Sequence, residues 1–407
     1  YYNDAGAQMD RFAASLEARY LQALGEGAAV PEDGYHGAYL EEWGRELAVE
    51  TGPGLAGAPP DERRREVLRW GMARAMRDIE ETLALRASII EHTAKIFDPD
   101  LFLVDKEPLG LRGEVADTLD LLRGRGVPLV LGLRDVLDDP VTLRQEWSRK
   151  RAMPALRDFY DEIWIYGMPE ICDPLAGIGM PAGIREKVRF TGYLRRTLPA
   201  GGGGATQTAK IAPPYLLVTP GGGGDGQEMV DWVLSAYEAD PGLPWPALLV
   251  LGPFMASEDQ AGFLARCEAL PNVEAITFDA HMESLLEQAA GVVAMGGYNT
   301  FCEILSFDKR ALIVPRTEPR MEQYIRASRA HDLGLARMLV NDGVRDPADM
   351  AAALRRLGEQ PAPSERMPAG MLAGLDTVNE LTDRLLRRNG RRPGALHPPL
   401  AAAGAES

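Results

Sequence analysis

Gly291-Val292-Val293-Ala294-Met295-Gly296-Gly297-Tyr298-Asn299-Thr300-Phe301-Cys302-Glu303 is the stretch from which the fold is read. A short apolar run ends at Gly296 and Gly297. These hand over to Asn299 as a residue able to cap a helix, with Thr300 beside it and the carboxylate of Glu303 on the first turns. An apolar strand, a glycine turn and a helix start bring bare backbone N–H groups up to a ligand without side-chain obstruction. Glu303 could then accept hydrogen bonds from vicinal hydroxyls such as those of a ribose. An ordinary strand-turn-helix connection with a solvated Glu has the same spacing, because a lone glycine motif is a weak signal.

A second glycine run, Thr219-Pro220-Gly221-Gly222-Gly223-Gly224-Asp225-Gly226-Gln227, follows an apolar strand and opens a helix. Its backbone N–H groups could surround a phosphate at the positive end of that helix. No Lys-Ser/Thr pair closes it as in a Walker loop, and its register is not that of a dinucleotide turn. A plain flexible loop is the alternative. In a parallel sheet both glycine turns fall on one edge, so a nucleotide diphosphate could touch one while its ribose meets the other.

Working outward, strands are expected at 101–104, 128–133, 163–167 and 188–191, and again at 215–219, 247–251, 273–277, 291–295 and 311–314. Helical stretches separate them, among them 227–238, 282–289, 300–307 and 320–333. Strands alternating with helices predict an α/β fold of two Rossmann-like, parallel, doubly wound domains. The glycine-rich run 201–212 is the linker between a first domain at 87–200 and a second at 213–386. The segment 369–388 is amphipathic and expected on the outside, and 387–407 is expected as a disordered tail. Before the first strand, 1–86 reads as helical, with apolar residues at three- and four-residue spacing over 9–24, 39–49 and 61–85.

The 407 residues are too many for one ordinary core. The balance of 44 basic against 60 acidic residues leaves a net charge of -16, which argues against a nucleic-acid partner, since non-specific affinity for polyanions comes from basic surface. No apolar run approaches the roughly 20 residues that span a bilayer. Cys172, Cys267 and Cys302 are odd in number and far apart, as suits reduced thiols in a cytoplasm. The five histidines show no metal-ligand spacing, so no metal is expected.

The N-terminal words Tyr2-Asn3-Asp4-Ala5-Gly6 with Gln8 and Asp10, then Ser15, Arg19 and Tyr20, then Pro31-Glu32-Asp33-Gly34-Tyr35-His36-Gly37-Ala38-Tyr39, resemble part of the arginyl-tRNA synthetase catalytic domain. In that family Asn3 and Asp4 would line the arginine pocket. The family's His-x-Gly-His signature, its Lys-Met-Ser-Lys-Ser-like loop and its anticodon-binding domain have no counterpart here, so an ATP site is not expected.

From about residue 85 to 385 the chain resembles glycosyltransferases of the two-domain GT-B type, and its second half is similar to the C-terminal domain of family 28. That family includes the N-acetylglucosaminyltransferase of the lipid-linked peptidoglycan precursor. The words Val104-Asp105-Lys106-Glu107-Pro108, Leu131-Gly132-Leu133-Arg134-Asp135 and Met295-Gly296-Gly297-Tyr298-Asn299-Thr300 are similar to those of a bacterial group of glycosyltransferases.

The resemblance implies transfer of a hexosyl group from a UDP-sugar to an acceptor hydroxyl, with the donor as a substrate and no cofactor. Glu303 would hold the ribose, Gln323 the transferred sugar, and Gly222, Gly223, Gly224 and Gly226 the diphosphate. Arg196 would reach across to that diphosphate, while His281 and Met282 would grip the uracil. The acceptor is open, a lipid-linked one included, and the implied place is the cytoplasm or the inner face of its membrane. The family's first N-terminal strands, which usually carry the acceptor loop and general base, should precede residue 85, where the synthetase-like fragment stands. The general base is therefore expected in a missing segment. A chain that opens at Tyr1 reads as an incomplete or rearranged product. A donor-binding protein without turnover and a synthetase-derived fusion are the alternatives.

Overall fold

The computed structural model describes residues 5–198, 210–222 and 224–388. Tyr2, Asn3, Asp4, Gly223, most of the expected linker and nearly all of the expected tail lie outside the described residues. The chain divides into two compact units, Tyr1–Ile96 and Phe97–Ser407.

The first unit holds α1 (Ala5–Ala23), α2 (Ala38–Thr51) and α3 (Pro60–Phe97). Leu16, Tyr20, Leu40, Trp43, Leu47 and Val67 form its core, and Gly44 lets the α2 backbone press against Arg19. Buried Glu17 accepts hydrogen bonds from Arg63 Nε at 2.6 Å and Arg64 Nε at 3.0 Å, which ties α3 to α1. The helix expected to close at residue 85 continues to Phe97. Nothing breaks its backbone before Asp98, whose φ of 47° is left-handed, and Pro99 follows.

The second unit begins with β1 (Phe102–Asp105), α4 (Ala116–Gly124), β2 (Leu129–Arg134), α5 (Pro140–Arg149), α6 (Ala152–Asp158), β3 (Glu162–Tyr166), α7 (Ala182–Arg185) and β4 (Val188–Phe190). The strands form one parallel sheet in the order β1-β2-β3-β4. Asp139 starts α5 by accepting hydrogen bonds from the N–H groups of Val141 and Thr142, ahead of Pro140 at the first helical position.

Then follow β5 (Tyr215–Thr219), α8 (Gln227–Ala239), β6 (Ala247–Val250), α9 (Ser257–Glu268), β7 (Val273–Ile276), α10 (Met282–Gln288), β8 (Ala289–Ala294), α11 (Tyr298–Ser306), β9 (Ala311–Ile313), α12 (Glu322–Asp332), β10 (Arg337–Met338), α13 (Pro347–Arg355) and α14 (Gly374–Arg388). The second sheet is parallel, in the order β10-β9-β8-β5-β6-β7. Alternation along β5 shows why it is covered on both sides. Leu216 and Val218 join a core with α8, α9 and α13, whereas Tyr215 and Leu217 join a core with α10, α11 and α12. The edge strand β10 was not expected, since two partly polar residues carry no strand signal.

Residues 369–388 do not pack outside the second half as expected. The helix starts only at Gly374 and crosses back to the first sheet, where Leu381 and Leu385 meet Val130 and Trp164 and Arg384 pairs with Glu162. Arg387 and Arg388 belong to this helix rather than to a tail. Its approach is fixed by backbone contact, Tyr193 N–H donating to Met371 O at 2.7 Å and Gly374 N–H to Tyr193 O at 3.1 Å. A Cβ at Gly374 would stand 2.6 Å from the Tyr193 carbonyl carbon, so only glycine fits.

The two sheets are joined by a buried ion pair. Arg326 on α12 donates from Nε to Asp135 Oδ2 at 2.8 Å and from Nη2 to Asp135 Oδ1 at 2.6 Å. Tyr193 Oη and Val136 N–H complete the carboxylate's bonds at 2.7 and 2.8 Å. Both charged side chains are fully enclosed, at 1% and 0% exposure. Removing one partner strands a charge in a dry interior, which typically costs about 3–5 kcal/mol. Arg326→Met should therefore lower the unfolding free energy by about that amount in guanidinium titration, and adding an apolar replacement of Asp135 should recover part of it.

Candidate functional site at the switch point of the second sheet

Strand β5 lies between β8 and β6, and the chain winds outward in opposite directions from it. The crevice at the carboxyl ends of β5 and β8 is therefore the switch point of the sheet, the usual ligand position in such folds. Thr219 is paired with Ala294, so the two glycine turns leave adjacent strands at the same level.

The turn after β5 is built by backbone packing. Gly252, at φ +90°, could carry no Cβ without striking Gly221 O at 2.7 Å and the Gly222 carbonyl at 2.8 Å. Phe254 N–H donates to Gly222 O at 3.0 Å, and a Cβ at Gly226 would overlap Pro220 at 2.0 Å. Gly222 and Gly224 both lie along the Phe254 side chain. Helix α8 starts from Gly226 without a side-chain cap, leaving its first N–H groups for another acceptor.

The turn after β8 differs from expectation in one respect. Gly297, not Asn299, is the N-cap of α11, and no side chain caps it. Asn299 already lies inside the helix, and its Oδ1 accepts from Arg196 Nη2 at 3.2 Å. The helix starts earlier because Gly296, at φ +78°, turns the chain directly out of the strand, and Arg326 Nη1 fixes that turn by donating to Gly296 O at 2.9 Å.

Glu303 stands half-buried on α11 with Thr300 partly exposed one turn earlier. Arg196 is anchored beside them, its N–H donating to Ser306 Oγ at 2.9 Å. Among the described residues, no donor reaches the Glu303 carboxylate. Burial, with help from the negative charge of Glu283, pushes Glu303 up to about 7, against a smaller opposing pull from Arg196. His281 precedes α10, its N–H bonded to Asp279 Oδ1 at 2.7 Å, and Met282 packs partly into the adjoining core. Gln323 is buried, and its side-chain oxygen accepts from Arg316 N–H at 3.2 Å. It therefore shapes the β9–α12 connection.

That connection holds the residue the sequence reading passed over. Arg316 donates to Glu322 Oε1 at 2.8 Å and pairs with Asp225 of the first glycine turn. The first glycine turn, Met295 at the end of β8 and this connection line a cleft of about 310 Å³, together with Asn341. Arg316 Nε and its neighbour Glu322 Oε2 are buried without hydrogen-bond partners, as is Arg196 Nε beside α11. Position alone could have indicated Arg316, since it follows a strand at the same sheet edge as both glycine turns.

Two parallel sheets with a helix crossing back from the end of the second onto the first define the GT-B fold. The glycotransferase of kitacinnamycin shares it, with a TM-score of 0.51 and 17% identity over 75% of this chain and 80% of its own. Residues 249–381, which hold His281, Glu303, Arg316 and Gln323, match the family model for the glycosyltransferase family 28 C-terminal domain.

The synthetase-like part has its own relatives. The arginine–tRNA ligase of Desulforudis audaxviator is 40% identical over 126 residues, covering 31% of this chain and 21% of the ligase. That of Caldanaerobacter subterraneus is 41% identical over 85 residues, covering 21% and 15%. The chain thus spans about a fifth or less of the curated relatives it matches. Among the described residues, no helix is long and apolar enough to cross a membrane.

The raised Glu303 has a measurable consequence. Between its ordinary value of 4.5 and about 7 the folded chain binds more protons here than the unfolded chain, so this group's contribution to stability falls as pH rises through that window. Glu303→Gln should unfold at a higher temperature than the parent at pH 8, with the difference shrinking toward pH 5.

Proposed function

We propose that the chain is a nucleotide-sugar-dependent glycosyltransferase that moves a hexosyl group from a UDP-sugar to an acceptor hydroxyl. The observation that carries this reading is that two uncapped helix starts leave adjacent strands at one level, with a half-buried carboxylate on the second of these helices that no donor among the described residues engages. A sugar nucleotide offers each of these its complement: a diphosphate for the N–H groups of α8 and a vicinal diol for Glu303. The uridine part of the proposal draws on the family 28 match.

As the bond from the anomeric carbon to the diphosphate breaks, negative charge grows on the leaving oxygen and positive charge on the sugar. Fixed donors stabilise that departing charge without having to reorganise, which is the usual large term in such catalysis. Arg316 is better placed for this than Arg196. It contacts the glycine turn itself through Asp225, whereas Arg196 is engaged with Asn299 and Ser306 on α11. An incoming diphosphate would take the place of Asp225 on the Arg316 guanidinium. In this reading the donor is a substrate and the transfer requires no cofactor.

Titration calorimetry with UDP provides the test. A charge-assisted hydrogen bond is worth about 1.5–3 kcal/mol, so Glu303→Ala should weaken UDP binding by roughly 10- to 100-fold. Equal affinity in the two proteins would remove the ribose contact. With Glu303 ionised as the hydroxyl acceptor, UDP should also bind more tightly above pH 7 than below it, and that dependence should vanish in Glu303→Gln.

A further inference from the structure

A second pocket, of about 490 Å³, opens between the two sheets, lined by Asp138, Thr142, Glu146, Arg149, Lys150, Pro319 and Arg320. Asp138 comes from the loop after β2 and is 2% exposed. Its Oδ1 accepts from Asp139 N–H at 2.9 Å and Met321 N–H at 3.1 Å. Its Oδ2 is buried with no hydrogen-bond partner. The nearest cation, Arg320 Nη1, stands 3.6 Å away, while Arg320 Nη2 is held by Glu146 at 3.1 Å. Lys150 is occupied by Glu146 at 2.6 Å and Glu107 at 2.8 Å.

Buried carboxylate oxygens in folded proteins are nearly always satisfied, so an orphan beside an open pocket asks for a ligand. The location identifies which one. Residues 314–318 line the cleft beside the first glycine turn, and residues 319–320, next along the same connection, line this pocket. A donor held in the cleft would thus present its sugar toward Asp138, with Gln323 close by in sequence.

We propose that this pocket takes the hydroxyl-bearing acceptor and that Asp138 is the general base of the transfer, an inference that rests on the glycosyltransferase reading above. The acceptor enters beside Arg320, which stays on Glu146 and swings off Oδ2. The acceptor hydroxyl then gives its proton to Asp138 Oδ2. Its oxygen forms the new bond to the anomeric carbon, and the old bond to the diphosphate breaks with its electron pair leaving on the diphosphate. The proton on Asp138 passes to water as product departs.

The test uses the full chain and Asp138→Asn, with UDP-glucose and UDP-N-acetylglucosamine as donors and glycerol as the hydroxyl probe. Asparagine still accepts the two backbone N–H groups but cannot take the proton. The expected result is unchanged UDP affinity and donor KM, a fall of about 100-fold or more in kcat for UDP release, and loss of the acid limb of the kcat–pH profile. The thermal unfolding midpoint should stay level or rise, because an unpartnered buried charge has been removed. A lower midpoint with kcat intact would make Asp138 a structural ion-pair partner and overturn the proposal. A parent protein that binds UDP but leaves both donors intact in glycerol would overturn the base assignment and spare the donor site. Absence of UDP binding would overturn the donor reading itself.

Discussion

The enclosed pair of Asp135 and Arg326 is the contact on which the second unit depends. Two ions removed from water are expensive, and their attraction offsets the cost only when every remaining lone pair and N–H finds a partner. Here Tyr193, Val136 and the Gly296 carbonyl supply those partners. The pair gathers the end of β2, the exit from the first sheet and the turn after β8 at one point. Tyr298 adds its ring beneath both Arg134 and Arg326, at 5.7 and 5.8 Å. Geometry at the glycine turn is thus set partly by an aspartate of the other sheet.

This explains why two of the words singled out in the sequence read as specific. Leu131-Gly132-Leu133-Arg134-Asp135 and Met295-Gly296-Gly297-Tyr298-Asn299-Thr300 lie far apart in the chain, yet they are the two sides of one contact. Their residue types are constrained by packing as much as by any ligand. Gly132 has no room for a Cβ beside the Tyr166 ring, and Gly296 has none beside Ile313.

The parallel strands were legible because each is a short apolar run closed by turn residues, a pattern that survives without tertiary information. Helix starts and destinations were less so. Asn299 looks like a cap in isolation, but the backbone had already turned at Gly296, and Arg196 claimed its side chain. The amphipathic face of Leu381 and Leu385 announces burial without saying against which sheet. Arg316, Arg326 and Asp138 were invisible for a common reason. Their importance lies in partners from distant segments, and an isolated Arg or Asp in a sequence reads as surface.

The course of α14 bears on how such a chain matures. The helix that shelters Trp164 and Val130 is translated well after the strands it covers. While the ribosome is still extending the second half, the apolar flank of the first sheet stands bare, open to chaperones or to a neighbouring nascent chain. Removing α14 would make that temporary exposure permanent.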